Sequence, residues 1–420
     1  MVPDSISKLD LVQAQISEIP EDWQLCKVGE ALRIRNNFRK PISQEVRETM
    51  KGQYPYYGPT KIQDYISEYE QDGIYALIGE DGDHFLKYAT MPQTQFISGK
   101  CTVNNHAHIL ESSSICDSEW FFNYFKHRNI TNFLSRQGAG RFKLNKATLE
   151  KLPLLVPPLP EQRKIAQILS TWDRGITTTE KLIDASKQQK KALMQQLLTG
   201  KKRLVDPKTG KAFEGKWVQG KLEDIAVIDS GFAFKSTSFV QDDENSVPII
   251  RMSDFKSGGL DVKEAARVSI ETVNGLDKFR LHVSDFVFGM SGSLSNYGWV
   301  KDQDIPCYLN QRVGRIRSKA MAIQNFVTYL YLSEKVQQNI LDKAAGAAQL
   351  NISVTDLRVM AISYPSVEEQ QKIASVLTSA DKEIELLEAK LAHFKQEKKA
   401  LMQQLLTGKR RVKVAEAEAA

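Results

Sequence analysis

Eleven residues, Lys191-Ala192-Leu193-Met194-Gln195-Gln196-Leu197-Leu198-Thr199-Gly200-Lys201, return letter for letter as Lys399 to Lys409, 208 positions later. The identity extends beyond that stretch. Glu161-Gln162 with Lys164-Ile165-Ala166 reappears as Glu369-Gln370 with Lys372-Ile373-Ala374, and Asp173 and Ile176 reappear as Asp381 and Ile384. An offset held without a gap over about forty residues means one structural element used twice, which restricts the architecture more than any other feature.

The periodicity of that element is helical. In the first copy, steps of four and three connect Ile165, Leu169, Trp172, Ile176, Thr179, Ile183, Ser186, Lys190, Leu193 and Leu197. In the second they connect Ile373, Leu377, Ala380, Ile384, Leu387, Leu391, Phe394, Lys398, Leu401 and Leu405. Such a seam predicts a coiled coil. Pro160 suits a first helical turn, Ser366-x-x-Glu369 is a capping-box pattern, and Gly200 and Gly408 fall where a helix stops. Lys190 and Lys398 interrupt the seam at equivalent places, where a polar residue fixes register at a cost in stability. The competing reading is two separate amphipathic helices, each packed on its own domain. A seam of about 38 residues spans roughly 57 Å, too long for one small domain to cover. The two copies are therefore expected to pair with each other, and antiparallel pairing would give a pseudo-twofold internal repeat.

The rest of the chain divides around these helices. The expected boundaries are an N-terminal arm at 1–19, a globular domain at 20–152, a helical spacer at 153–204, a second globular domain at 205–360, a second spacer at 361–409 and a tail at 410–420. The globular parts are themselves diverged copies. Trp23-x-x-x-Lys27 is echoed by Trp217-x-x-x-Lys221, Cys101 to His106 by Cys307 to Arg312, and Gly138-Ala139-Gly140 by Gly346-Ala347-Ala348. Short β-rich runs (Ile74 to Gly79, Phe286 to Gly289, Val313 to Ile316) alternate with Gly-rich turns and with helices expected over Trp120 to Phe133 and Asn325 to Leu341. The class is α+β, or mixed α/β.

Charge is distributed unevenly. Residues 20–150 hold 16 Lys/Arg against 16 Asp/Glu and residues 205–360 hold 19 against 19, whereas 151–204 hold 11 against 4. A polyanion partner would therefore be met through local patches and not through bulk charge. No run approaches the ~18 apolar residues of a membrane span. The start lacks a basic region followed by an apolar one, and Cys26, Cys101, Cys116 and Cys307 form no CxxC pair. The expected compartment is the cytoplasm, with no membrane partner.

No catalytic residue is assigned. There is no GxxxxGK[ST] loop and no HExxH. Val156-Pro157-Pro158-Leu159 lacks the flanks of an adenine methyltransferase site, and Asp206 with Glu214-Gly215-Lys216 only faintly mimics a metal-dependent nuclease. Cys101, His106, His108 and Cys116 do not match the spacing of a zinc site and read better as strand and turn residues, so no metal is assigned.

Candidates for DNA contact mix cations, amides, hydroxyls and aromatics in turn-rich stretches. In the first domain they are Arg33, Arg35, Asn37, Lys40, Tyr56, Tyr57, Lys61, Arg136, Arg141 and Lys143. In the second they are Lys235, Ser236, Arg251, Lys256, Ser291, Ser293, Asn296, Tyr297 and Arg312. Arg and Lys can read guanine, Asn and Gln adenine, while hydroxyls grip phosphate; the alternative for each is a solvated surface residue.

Taken together, the entry Pro20-x-x-Trp23, the run Pro157-Pro158-Leu159-Pro160-Glu161-Gln162 and the helix ending Leu197-Leu198-Thr199-Gly200 resemble the specificity subunit of type I restriction-modification systems. The tryptophan and the helix end recur in the second half as Trp217 and Leu405-Leu406-Thr407-Gly408, and Tyr364-Pro365-Ser366 replaces the Pro-rich entry. The resemblance implies two target-recognition domains on double-stranded DNA, separated by antiparallel helices that act as a ruler. It also implies partners: two methyltransferase subunits that use S-adenosylmethionine, and translocase/nuclease restriction subunits that use ATP and Mg. No cofactor is expected in this chain. The alternatives are a stand-alone DNA-binding or regulatory protein, and an enzyme with an unrecognised nuclease or methylase site.

Overall fold

The computed structural model describes residues 6–137, 141–256, 259–345 and 350–414. The matched Gly-Ala stretches 138–140 and 346–348, and the side chain of Arg141, lie outside the described residues. The chain forms two compact units. Unit 1 takes Met1–Glu180 with Lys390–Ala420, and unit 2 takes Lys181–Ala389.

Unit 1 opens with α1 (Lys8–Gln13), β1 (Gln24–Lys27), α2 (Val28–Ala31), β2 (Arg33–Ile34) and α3 (Gln44–Thr49). Strands β3 (Lys51–Tyr57), β4 (Ile62–Ile66), β5 (Gln71–Gly79), β6 (Thr94–Val103) and β7 (Ala107–Glu111) follow. Then come α4 (Ser118–Phe125), β8 (Ser135–Gln137), β9 (Arg141–Lys143), α5 (Lys146–Lys151), β10 (Pro153–Val156) and the start of α6 (Leu159–Leu197). A six-stranded sheet runs β2-β7-β5-β6-β3-β4, antiparallel except where β3 meets β6. The run at Tyr75–Gly79 does not alternate because both faces of β5 are covered. Ala76 and Ile78 join the main core with Trp120 and Phe121 of α4, whereas Tyr75 and Leu77 join Ile97, Val103 and Ile109 behind.

A second, two-stranded sheet pairs β1 with β10 and ties the domain entry to the root of α6. Trp23 lies edge-on to Trp120 at 5.5 Å. Trp120 Nε1–H donates to the Leu155 carbonyl at 2.8 Å, and Trp23 Nε1–H donates to Glu161 at 3.0 Å. Truncating a fully buried ring such as Trp120 would cost about 3–5 kcal/mol. The helix expected over Trp120 to Phe133 ends early, at Phe125. The buried Gln93 amide donates to the carbonyls of Phe125 and Arg128 at 3.1 and 2.6 Å, and Asn129 then caps a separate turn at Thr131.

Unit 2 begins with the end of α6, then β11 (Val218–Lys221), α7 (Leu222–Ile225), β12 (Ala226–Ser230), β13 (Phe239–Val240), β14 (Ser246–Ile250), β15 (Phe255–Lys256), β16 (Gly259–Leu260) and β17 (Arg267–Ser269). It continues with β18 (Phe286–Gly289), β19 (Tyr297–Trp299), β20 (Tyr308–Leu309), β21 (Val313–Ser318), α8 (Gln324–Leu332), α9 (Glu334–Ala344), α10 (Val354–Arg358), β22 (Ala361–Tyr364) and the start of α11 (Val367–Leu405). Two four-stranded sheets, β12-β21-β18-β19 and β13-β17-β14-β20, replace the single large sheet of unit 1. The helix expected over Asn325 to Leu341 is two helices. Ser333 is extended (φ −64°, ψ 145°) and its hydroxyl donates to the Leu330 carbonyl at 2.6 Å, which breaks the run.

The long helices, 39 residues each, show every position of the predicted seam buried or half-buried. Within unit 1, α6 and α11 meet through Trp172 and Phe394, edge-on at 5.6 Å, and through the ion pairs Asp173–Lys398 and Glu180–Lys395. Glu161, 3% exposed, accepts from Arg411 just past the end of α11. Within unit 2 the pairs are Lys190–Asp381, Lys187–Glu388 and Arg203–Glu369. Each of these three matches a unit 1 pair, residue for residue, at the offset of 208. Ser366 accepts the Glu369 N–H at 3.4 Å, but the Glu369 carboxylate is taken by Arg203, so only half of the capping box serves the helix.

Both helices end alike. Gly200 and Gly408 have positive φ (69° and 71°), and the N–H two residues on returns to Gln196 and Gln404 respectively. In unit 2 Gly200 lies against Trp217; in unit 1 Gly408 lies against Pro20 and Trp23. Among the described residues no helix is long and apolar enough to cross a membrane.

Candidate nucleic-acid interface

The surface candidates of unit 1 are mostly neutralised from within. Arg33 and Arg35 both reach Glu111, at 3.8 and 2.8 Å, and Lys40 pairs with Glu70. Lys143 sits 3.2 Å from Glu80, which also accepts from Arg39 at 2.7 Å. Although burial works to raise the pKa of Glu80, the Arg39 and Lys143 bonds hold it below the ordinary carboxylate range. Arg136 lies over the Phe142 ring at 5.4 Å. Asn37 and Lys61 are exposed and have no side-chain partner among the described residues.

Tyr56 does not belong to this surface. It is 1% exposed, and its hydroxyl accepts from the Ile42 N–H and donates to the Lys40 carbonyl. Tyr57 is half-buried beneath the same sheet, with burial raising its pKa. Both tyrosines lie in the strand β3 and not in a turn, and a register irregularity falls between them.

The residues weighed as a zinc set are dispersed. Cys101 and Cys116 lie in different apolar clusters, burial pushing the Cys101 thiol up to about 12 and that of Cys116 higher still. His108 spends both ring nitrogens on the fold: Nδ1 accepts from Asn36 at 2.8 Å, and Nε2–H donates to the Leu144 carbonyl at 2.7 Å. His106 faces Asp81 at 3.2 Å.

In unit 2, Arg251 pairs with Asp254 at 3.4 Å, and Lys256 pairs with Asp261. Ser293 donates to Asn296 at 3.1 Å. Tyr297 packs on Phe286 and Trp299 as part of the sheet. Lys235 and Ser236 stand exposed at the start of a short 3-10 turn. Two candidates, Ser291 and Arg312, come together in an open cleft of about 650 Å³ lined also by Ser230, Gln311, Asn351 and Ser353. Gln311 and Asn351 were missed from the sequence. The signal was there, since Gln311 belongs to the matched Cys307 to Arg312 stretch and Asn351 stands 208 positions after the candidate Lys143.

Comparison with known proteins gives consistent likenesses. A family model described as the type I restriction modification DNA specificity domain matches residues 20–187 and again 214–396. The chain is 29% identical over 410 residues to the type I restriction enzyme MjaVIII specificity subunit of Methanocaldococcus jannaschii, covering 94% of each. It is 22% identical over 408 residues to the EcoBI specificity subunit of Escherichia coli, covering 88% of this chain and 82% of that one. The crystal structure of the S subunit of a type I restriction-modification system from M. genitalium shares the fold, with a TM-score of 0.60 at 13% identity, over 93% of this chain and 96% of that one.

Proposed function

The chain belongs to the type I restriction-modification DNA specificity family, and from that premise we propose that it is the non-catalytic, DNA-reading subunit of such a system. The recognition domains at 20–152 and 205–360 each read one half of a bipartite, asymmetric duplex site. The two long helices pair antiparallel as a coiled coil, set the gap between half-sites and dock two methyltransferase subunits, which bring S-adenosylmethionine. Translocase/nuclease subunits that use ATP and Mg complete the assembly.

The observation that carries this reading is the recurrence of the pairs Asp173–Lys398 and Lys190–Asp381 at one offset. A lysine inside an apolar seam costs stability, but one matched to an aspartate on the facing helix favours a single register. The same match in both units supports a pseudo-twofold frame carrying unlike heads. Duplex DNA has the corresponding property, a repeating backbone with non-repeating bases. A helix of 39 residues is about 58 Å long, between one and two DNA turns of roughly 34 Å.

Expression in a host free of other systems, with and without the methyltransferase subunits, tests the proposal. Mapping methylated adenines should reveal a two-part motif of fixed gap only when both are present, and the purified chain should elute with two methyltransferase copies. Cleavage or methyl transfer by the chain alone on plasmid with Mg²⁺ and S-adenosylmethionine would overturn it.

A further inference from the structure

We propose that the cleft of unit 2 is the base-reading site of that domain. In it Arg312 reads a guanine, and the amides of Gln311 and Asn351 read a neighbouring adenine. The inference rests on the DNA-reading function above and assigns residues to it.

The side chains of the cleft are available. Among the described residues, Arg312, Gln311, Asn351 and Ser291 have no side-chain hydrogen bond or ion pair, although all four line one space. Nearby cations are spent within the fold. Arg315 binds Asp229 at 2.6 Å, Arg317 binds Asp285 at 2.8 Å and Arg251 binds Asp254. An unspent guanidinium offers the forked donors that match guanine O6 and N7, and an unspent amide matches adenine N6 and N7.

The backbone beneath them is fixed. Met290 N–H donates to the Arg312 carbonyl, and Ile352 N–H donates to the Met290 carbonyl, both at 3.0 Å. Gln311 N–H donates to Phe232 at 2.9 Å, and Gly292 N–H to Leu350 at 2.8 Å. Gly231 passes so close that a Cβ there would lie 2.0 Å from the Leu309 carbonyl oxygen. The segments that carry Ser291, Gln311 with Arg312, and Asn351 are thus locked together, with those side chains lining the cleft.

Unit 1 contains the same cradle with other contents. Glu80 N–H donates to the His106 carbonyl and Leu144 N–H to the Glu80 carbonyl, both at 2.8 Å. The bridge Asp81–Lys143 stands where unit 2 has Ser291–Asn351. So Glu80, Asp81, His106 and Lys143 occupy the places of Met290, Ser291, Arg312 and Asn351. In unit 1 these side chains pair, Asp81 with His106 at 3.2 Å and Glu80 with Lys143 at 3.2 Å. One protein backbone frame with exchanged side chains suits two different half-sites, because base edges are read by side chains.

The test uses the full chain with its methyltransferase subunits in a host whose methylated adenines are mapped. With Arg312→Ala, discrimination at one guanine of one half-site should fall by about tenfold or more. Arg312→Gln should move the preference there towards adenine, and Asn351→Ala should relax an adjacent position. The other half-site and the gap should stay as in the parent, which shows that the assembly is intact. A motif as sharp as the parent's in R312A and N351A, or a uniform drop with a sharp motif, as for a phosphate contact, would overturn the assignment. If R312A abolishes methylation, Arg312→Gln decides: recovery with the preference moved off guanine supports the proposal, and recovery with the guanine as sharp as in the parent rejects it. A parent chain that directs no bipartite methylation would sink the DNA-reading function itself.

Discussion

His108 illustrates how much of unit 1 depends on residues that look functional and are structural. It is 1% exposed, and burial lowers its pKa against the opposing pull of the Leu144 carbonyl and Glu80. Burial also lowers the pKa of His84 and His127 in the same unit. A group whose folded pKa is depressed contributes stability that is fully present above its unfolded value and lost as pH falls through the folded one. Unit 1 should therefore melt at a lower temperature at pH 5.5 than at pH 7.5, and His108→Gln should shrink that difference. Equal melting temperatures for the parent at the two pH values would contradict the argument. At this scale the sequence was a poor guide. Residue type placed Arg33, Arg35 and Lys40 at the surface, but no pattern disclosed that Glu111 and Glu70 would neutralise them. Such pairings are long-range, and so was the hydroxyl bond that holds Tyr56 inside.

Among the elements, the long helices were the most legible. Their ends at Leu197 and Leu405 lie three residues before the glycines that announced them, because a left-handed C-terminal residue is a local requirement written in one letter. The two glycines differ in what surrounds them. A Cβ on Gly408 would lie 2.2 Å from Pro20 Cγ, whereas on Gly200 it would lie 3.2 Å from the Trp217 ring. Both substitutions to alanine carry the left-handed penalty of about 1–2 kcal/mol. Gly408→Ala adds a clash with a rigid ring, so it should destabilise unit 1 clearly more than Gly200→Ala destabilises unit 2. Hydrogen exchange resolved by unit would measure the two losses, and equal values would refute the role given to Pro20. The strands were less legible. A run such as Tyr75–Gly79 identifies itself as buried, but its neighbours β6 and β7 are chosen by tertiary packing, which one sequence does not display.

For the whole molecule, the notable fact is which segments make each unit. The core of unit 1 contains Ile6 and Ile16 from the beginning of the chain and Leu405 and Leu406 from near its end, with Val412 packed against it. Among the described residues, that of unit 2 draws on residues between Leu193 and Leu377. The repeat hinted at this arrangement, since equal offsets link the ion pairs, although the sequence boundaries had set the helices apart as spacers. A chain ending at Ala389 should keep amide protection in β12, β18 and β21 but lose it in β1 and β10, where Trp23 and Glu161 would be left without Gly408 and Arg411. Retained protection in β1 and β10 would count against that dependence.

During synthesis this inverts the order of maturation. Domains form as their residues leave the ribosome, so the half encoded second is finished first, and the half encoded first waits for the final turn of α11 and Arg411. A chain that stops short of the final turn of α11 therefore holds one complete unit, and the emergence of Leu405, Leu406 and Arg411 is the event that completes the other.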